Sequence, residues 1–384
     1  MTRSKEIVAY SASFTGPVAG NAFLAMIVVL EAEWNASTEA VLLAIPAFML
    51  PFAIIQLFSG AVSNAYDRRL TLSVGLLVYI VGSVAAAASP SLEVFLGTRV
   101  VQGVGYAFVS PVLVPIVSDI AGKDRQGLAM GYLGSTSTAG VTLGPLLGGL
   151  FAEVNWRLAF VAIALMASAV LAAVLIVFRG ESGQGAQHGR PGSLGQLRLT
   201  LKNRDVMLLS LGGFVGFASF IGVVSYLSPY LGSQGFSTGE IGFALMFSGL
   251  SGVFLSPVAG KLVDRKGARC CAVLGFAIAA FAAFAMQFAD DYAAYVALLA
   301  VLGLGSSFIW SAMLTMLMRA YPTMKDSLSA VFNSARFSGY AASPVLLAPV
   351  FSSAGFEGVV TVCAVANVAC VLVILTTRRS LDRG

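Results

Sequence analysis

A pair of arginines stands where apolar stretches have no ordinary use for them. Arg99 opens the string Arg99-Val-Val-Gln102-Gly103-Val-Gly105-Tyr106, and Arg336 follows Asn333 inside a second apolar run. A cation at membrane depth costs several kcal/mol unless it is partnered or hydrated, so each needs a reason. Carboxylates are scarcer. Asp119 closes the run that Arg99 enters, Glu31 marks the edge of the first run, and no Asp or Glu occupies the middle of any run. His188, the single histidine, lies in a Gly/Gln-rich stretch, and Cys270, Cys271, Cys363 and Cys370 sit in or beside apolar runs without metal-ligand spacing. No phosphate-cradling Gly loop with Lys and no nucleophile–base pair is visible, so covalent chemistry, ATP use, metals and cofactors are not expected. What remains is reversible binding. Arg336 lies about ten residues into its run, roughly 15 Å at the helical rise and so near mid-depth. An interior with two cations and no fixed anion suits an anionic or electron-rich neutral ligand, the other reading being an arginine tied to helix carbonyls.

The elements that must position these residues follow from composition. Of 384 residues 58% are apolar and 11% charged, with mean hydropathy +0.87. No soluble fold of this size hides so much apolar surface, whereas a helical span needs about 20 such residues. Apolar runs fall at 7–30, 39–62, 70–89, 93–118, 127–151 and 157–178, then at 206–231, 239–262, 269–289, 292–318, 327–352 and 357–377. The chain therefore reads as an all-α membrane protein of twelve transmembrane helices in two pseudo-symmetric six-helix bundles. The first run is too long for a signal peptide and has no small-residue cleavage site in the usual place, so it is a retained span.

Loop charges set the orientation. Arg3, Lys5, Arg68, Arg69, Lys123, Arg125, Lys261, Arg265 and Arg319 fall on one side, while Glu33, Glu39, Glu93, Glu153, Glu240, Asp290, Asp291 and Glu357 fall on the other with Arg157. The positive-inside rule then puts both termini in the cytoplasm, in a plasma membrane. The net charge of +5 is spread over short loops and implies no nucleic-acid partner. Residues 179–204 read as a cytoplasmic linker with a surface-lying amphipathic piece at Leu194–Leu201. Bundles are expected at 1–178 and 205–384. They match at an offset of 200: Gly60 with Gly260, Arg69 with Arg269, Gly103 with Gly303, Gly105 with Gly305, and Pro145 with Pro344 after a one-residue slip. Duplicated halves of this kind are the build of many alternating-access carriers.

Three strings sharpen this. Gly260-Lys-Leu-Val-Asp264-Arg265-Lys-Gly267-Ala-Arg269 links two spans, with an Asp able to face a helix N-terminus and Arg residues able to pair with carboxylates. Its first-half counterpart runs from Gly60 through Asn64 and Asp67 to Arg68-Arg69, with Asn in place of the ion-pairing Asp. Gly140-Val-Thr-Leu-Gly144-Pro145-Leu-Leu-Gly148-Gly149 puts glycines four apart on one helix face, where a neighbour can approach closely, and Pro145 bends the helix. With Arg99-to-Tyr106 and Trp156-Arg157-Leu-Ala-Phe160, these strings resemble the motifs of the major facilitator superfamily, specifically its twelve-span drug:proton antiporter branch, over nearly the whole chain.

The resemblance implies a secondary active exporter, small-molecule substrates, protons as coupling ion, and a monomer in the bilayer. It implies gating by Gly60, Arg68, Arg69, Gly140, Gly144, Pro145, Gly148, Gly149, Asp264, Arg265 and Arg269, with Arg68 or Arg69 locking onto Asp119. Arg99 and Asp119 are then the proton-coupling candidates. Substrate contacts are expected at Asn21, Gln102, Tyr106, Tyr226, Tyr230, Trp310, Asn333 and Arg336, with Ser110, Ser135 to Thr138, Phe217 and Phe220 as further lining. Uptake or exchange of an organic anion is the rival transport reading. A receptor or assembly subunit that has lost transport is a rival from another class, and a membrane enzyme is disfavoured by the lack of interior acid–base residues.

Overall fold

The computed structural model describes residues 2–58, 67–179, 194–321 and 325–376, which are helical almost throughout, with no strand among them. Thirteen α-helices occur among the described residues: α1 Thr2–Ala22, α2 Ile27–Trp34, α3 Thr38–Leu42, α4 Ala44–Leu57, α5 Arg68–Ala87, α6 Leu92–Val154 and α7 Trp156–Val177, then α8 Leu194–Lys202, α9 Arg204–Ser233, α10 Thr238–Lys266, α11 Ala268–Ala285, α12 Tyr292–Ala320 and α13 Lys325–Thr376. Short polar residues start them, because their side chains satisfy the free N–H groups of a first turn. Asp67 accepts from Leu70 N at 2.9 Å, Asn155 from Arg157 N at 3.0 Å, and Asp291 from Ala294 N at 2.6 Å. Between α10 and α11 the chain turns at Gly267, whose φ of 88° a side chain would resist.

Among the described residues nine helices are long and apolar enough to cross a bilayer, before three features are resolved. First, Arg3–Ala25 and Ile27–Trp34 form one span bent by 65°. Second, α6 carries two of the expected spans. Tyr106 Oη donates to Ser13 O at 3.1 Å while Thr136 Oγ1 lies 2.6 Å from Ser13 Oγ. Thirty residues of straight helix would part them by about 45 Å, so α6 doubles back between them. Third, α13 is two limbs broken at Gly355 (φ 62°, ψ −158°), and Gly222 lies against both Leu347 and Cys363 from its two limbs. Counted in this way, the described residues are consistent with twelve crossings: the nine, the bent pair, and the second limbs of α6 and α13.

Two compact units emerge: Met1–Gly192 with Ser237–Gly242, and Ser193–Phe236 with Phe243–Gly384. The first turn of α10 thus groups with the first unit, a detail that the plain division at the linker lacks. Inside unit 1, α6 packs on α1, α4 and α5; inside unit 2, α9 packs on α13, and α11 on α12 and α13. Large apolar side chains at Val74, Leu77, Val81 and Val84 remain exposed along one face of α5, the face a membrane helix turns to lipid.

Repeat-related positions make the same contacts. A Cβ on Gly75 would come within 2.9 Å of the Gly105 carbonyl, and one on Gly275 within 2.9 Å of the Gly305 carbonyl. Gly103 presses on the Phe48 carbonyl and Gly303 on the Ser248 carbonyl. Arg69 donates to Leu175 O at 3.2 Å, and Arg269 to Leu375 O.

Candidate functional site

In unit 1 the polar residues of α6 join a closed network. Arg99 is fully buried, and its Nη1 donates to Gln102 Oε1 at 2.6 Å. Gln102 Nε2 donates to Ser83 Oγ at 2.8 Å, and Ser83 Oγ to the Tyr79 carbonyl at 2.8 Å. Tyr79 Oη reaches Thr15 O at 2.7 Å. The spacing of Arg99, Gln102 and Tyr106 puts all three on one helix face, directed at α5 and α1. The guanidinium also sits 4.6 Å from the Phe48 ring centroid and 5.9 Å from those of Phe23 and Phe160, where a ring face attracts a cation. Tyr106 stacks on Phe52 with centroids 5.5 Å apart. Asn21 is buried and donates to Pro17 O at 2.8 Å. Gln102 and Tyr106 therefore hold α6 against α5 and α1.

Unit 2 arranges its candidates differently. Arg336 is 8% exposed. Its guanidinium carbon is 4.2 Å from the Trp310 ring centroid, 4.4 Å from Phe337 and 4.5 Å from Phe217. Nε and Nη1 are buried and donate to no acceptor among the described residues. Asn333, one turn earlier, donates to Ser329 Oγ at 3.2 Å. Arg336, Asn333, Trp310 and Phe217 thus form one group, contributed by α13, α12 and α9. The two tyrosines lie elsewhere. Tyr226 is fully buried and donates to Pro344 O at 2.7 Å. Tyr230 stacks on Phe356 at 4.8 Å and accepts from Tyr295 Oη at 3.3 Å, about 20 Å further along α9 than Phe217 at the helical rise.

The gating candidates occupy helix ends. Of the two arginines that could reach Asp119, Arg68 does so at 2.6 Å, leaving Arg69 to cap the last turn of α7 through Leu175. In unit 2, Asp264 meets Arg319 at 2.7 Å. Position 319 corresponds to 119 at the repeat offset and carries the opposite charge, whereas Asp264 corresponds to Asn64 and Arg68 to Ala268. Both pairs are open to solvent on at least one side and add little to stability, which suits a contact that must open and close. Arg265 is exposed in the last turn of α10. Gly60 and Asn64 lie outside the described residues.

Glycines of the second limb of α6 form a ladder on α1. A Cβ on Gly140 would lie 2.7 Å from the Phe14 carbonyl and one on Gly144 2.9 Å from the Val18 carbonyl, while Gly148 presses directly on Ala22. Each step of four on α6 meets a step of four on α1. Gly149 faces the other way, onto the first turn of α10. Thr238 Oγ1 donates to the Gly149 carbonyl at 3.0 Å, and Glu153 Oε1 accepts from Gly239 N at 3.1 Å. Gly242 presses on the Pro145 carbonyl in the same seam.

One residue of this region escaped the sequence reading. Glu6, in the second turn of α1, is 6% exposed and lies 3.8 Å from Arg125 of α6. Its signal was helical phase: Glu6, Ala9 and Ser13 share the buried face of α1. At the opposite end, Arg157 pairs with Glu33 at 2.8 Å, above an aromatic cluster of Trp34, Phe95, Trp156 and Phe160.

The model of the Major Facilitator Superfamily matches residues 9–344 and again 235–383. Over 319 residues the chain is 25% identical to the multidrug efflux protein YfmO of Bacillus subtilis, covering 82% of this chain and 78% of that one. It is 24% identical over 313 residues to an MFS-type transporter of Methanocaldococcus jannaschii, covering 79% of this chain and 80% of the other. A chloramphenicol resistance protein of Pseudomonas aeruginosa is 30% identical over 237 residues, covering 60% of this chain and 55% of its own length.

Proposed function

The chain belongs to the major facilitator superfamily, and from that premise we propose that it exports a small organic molecule across the plasma membrane by alternating access, driven by proton antiport. The observation that carries this reading is the seam of Gly140, Gly144, Pro145, Gly148 and Gly149, a rigid limb with α1 on one face and the first turn of α10 on the other. Ser237–Gly242 groups with the first unit, so the seam is a packed element within that unit. At the other end the Arg68–Asp119 and Asp264–Arg319 pairs serve as catches. Multidrug efflux by YfmO and chloramphenicol resistance by the Pseudomonas protein support export of drug-like compounds.

In this reading both termini are cytoplasmic and the working unit is a monomer. Substrate meets the Arg336 group and Tyr230, the network of Arg99, Gln102, Tyr106 and Asn21 keeps unit 1 rigid, and Asp119 is the proton-responsive group. Protonation of Asp119 would release Arg68 and free the catch. The test is transport of chloramphenicol or ethidium in proteoliposomes under an imposed proton gradient. Gradient-dependent transport that a protonophore abolishes is expected. Asp119→Asn is expected to lose the gradient dependence while ligand binding persists; an unchanged gradient response in that variant would remove Asp119 from the coupling step.

Uptake or exchange of an organic anion is a second reading, favoured by the Arg336 guanidinium. It requires counterflow of anions without a proton gradient, which the same vesicles measure.

A further inference from the structure

Arg336 differs from the other buried arginine in having no side-chain hydrogen-bond network around it among the described residues. Arg99 is bonded to Gln102 and lies within a network that ends on backbone carbonyls. Arg336 lies within the Ser327–Leu375 candidate span and makes no ion pair among the described residues. Two of its nitrogens, Nε and Nη1, are buried with no acceptor among the described residues. Three aromatic rings from α9, α12 and α13 hold the guanidinium within 4.5 Å of their centroids. Ring faces attract a cation and fix its plane, yet they leave its in-plane N–H donors unused. A positioned guanidinium with idle donors in a low-dielectric setting suits a carboxylate oxygen, which accepts a charge-assisted hydrogen bond from it.

The ring beside it supplies a second element of recognition. Trp310 is 38% exposed, so part of its indole remains open while Arg336 occupies its neighbourhood. Aromatic solutes gain from offset or edge contact with such a ring. We infer that Arg336, Trp310 and Phe217 form a binding site for an aromatic carboxylate: a carboxylate oxygen accepts from a free N–H of the guanidinium, and the ring of the same molecule packs on Trp310. This rests on the transporter reading above and names its substrate class.

The experiment uses the purified full-length chain and three isosteric probes, 2-naphthoate, 2-naphthamide and 2-naphthylmethylammonium, with thermal stabilisation and tryptophan fluorescence as readouts of binding. Naphthoate is expected to bind about tenfold or more tightly than the amide, the ratio that one charge-assisted hydrogen bond supplies. Arg336→Gln is expected to erase that preference, and Arg336→Lys to keep only part of it. Should Arg336→Gln fail to fold, Trp310→Leu at the more exposed position is expected to weaken all three probes while preserving their order. Equal binding of the three probes by the unaltered protein, or preference for the ammonium, would overturn the inference. Proton-driven transport of a cationic drug in the same preparation would then still uphold the exporter reading, whereas naphthoate binding without any driven transport would uphold the site and remove the exporter.

Discussion

Arg99 and Arg336 are both buried arginines, and their surroundings divide their work. Removing Arg99 leaves Gln102 Oε1 buried without its donor. A buried acceptor left without its donor typically costs about 1–3 kcal/mol, and the ring contacts of the guanidinium are lost with it. We therefore expect Arg99→Met to lower the melting temperature sharply, with expression falling before any change in substrate preference is seen. Gln102→Leu should show a loss of at least the same size, since it leaves the charged Arg99 Nη1 without this acceptor and removes the donor to Ser83. Denaturation in detergent measures both; full stability of Arg99→Met would refute the structural role assigned to the network. The sequence announced both arginines by their incompatibility with the apolar runs, and the spacing of Arg99, Gln102 and Tyr106 by helix period. Ser83 as the next partner was not legible, because a single chain does not declare which helix faces which. Glu6 was legible in principle, since its buried phase is a local property.

At the scale of elements, the glycines of α6 are not equivalent, although they look alike in the string. Gly148 presses on the Ala22 backbone, whereas Gly131 and Gly134, on the same helix, have nothing within 4 Å of a built Cβ. Gly148→Ala must push α1 away and is expected to abolish transport and destabilise the chain. Gly134→Ala should be harmless, or stabilising by up to about 1 kcal/mol through helix propensity. Parallel melting curves and transport assays decide it; equal tolerance of the two substitutions would mean that the ladder is not close-packed in the membrane. Glycines four apart showed in the sequence that a helix face was kept bare. That α1 covers Gly140, Gly144 and Gly148 while α10 covers Gly149 was not legible there, because it depends on the arrangement of the helices. The apolar runs at 93–118 and 127–151 were likewise visible, but the helix that continues through both before doubling back was not.

Across the whole molecule, the offset of 200 read from a few glycines proves to be a repeat of contacts: Gly75 with Gly105 recurs as Gly275 with Gly305, and the Arg69 cap recurs at Arg269. Each unit has a catch, Arg68–Asp119 and Asp264–Arg319, with opposite charges at the related positions 119 and 319. A function in gating predicts that Asp264→Arg slows transport and that adding Arg319→Asp restores it, with melting temperature little changed throughout because the pair is exposed. Proteoliposome rates measure this; failure of the double variant to recover would show that one of these residues has a separate duty.

One contact of the repeat has a history written into it. In unit 1 the small partner is Gly148, set against Ala22; in unit 2 the corresponding positions hold Leu347, set against Gly222. Space and bulk have changed sides between the copies. Ala facing Leu would overlap, so every passable one-substitution route between the two arrangements runs through Gly facing Gly. If the halves descend from one ancestral segment that had either arrangement, a lineage carried a void at that crossing for a time.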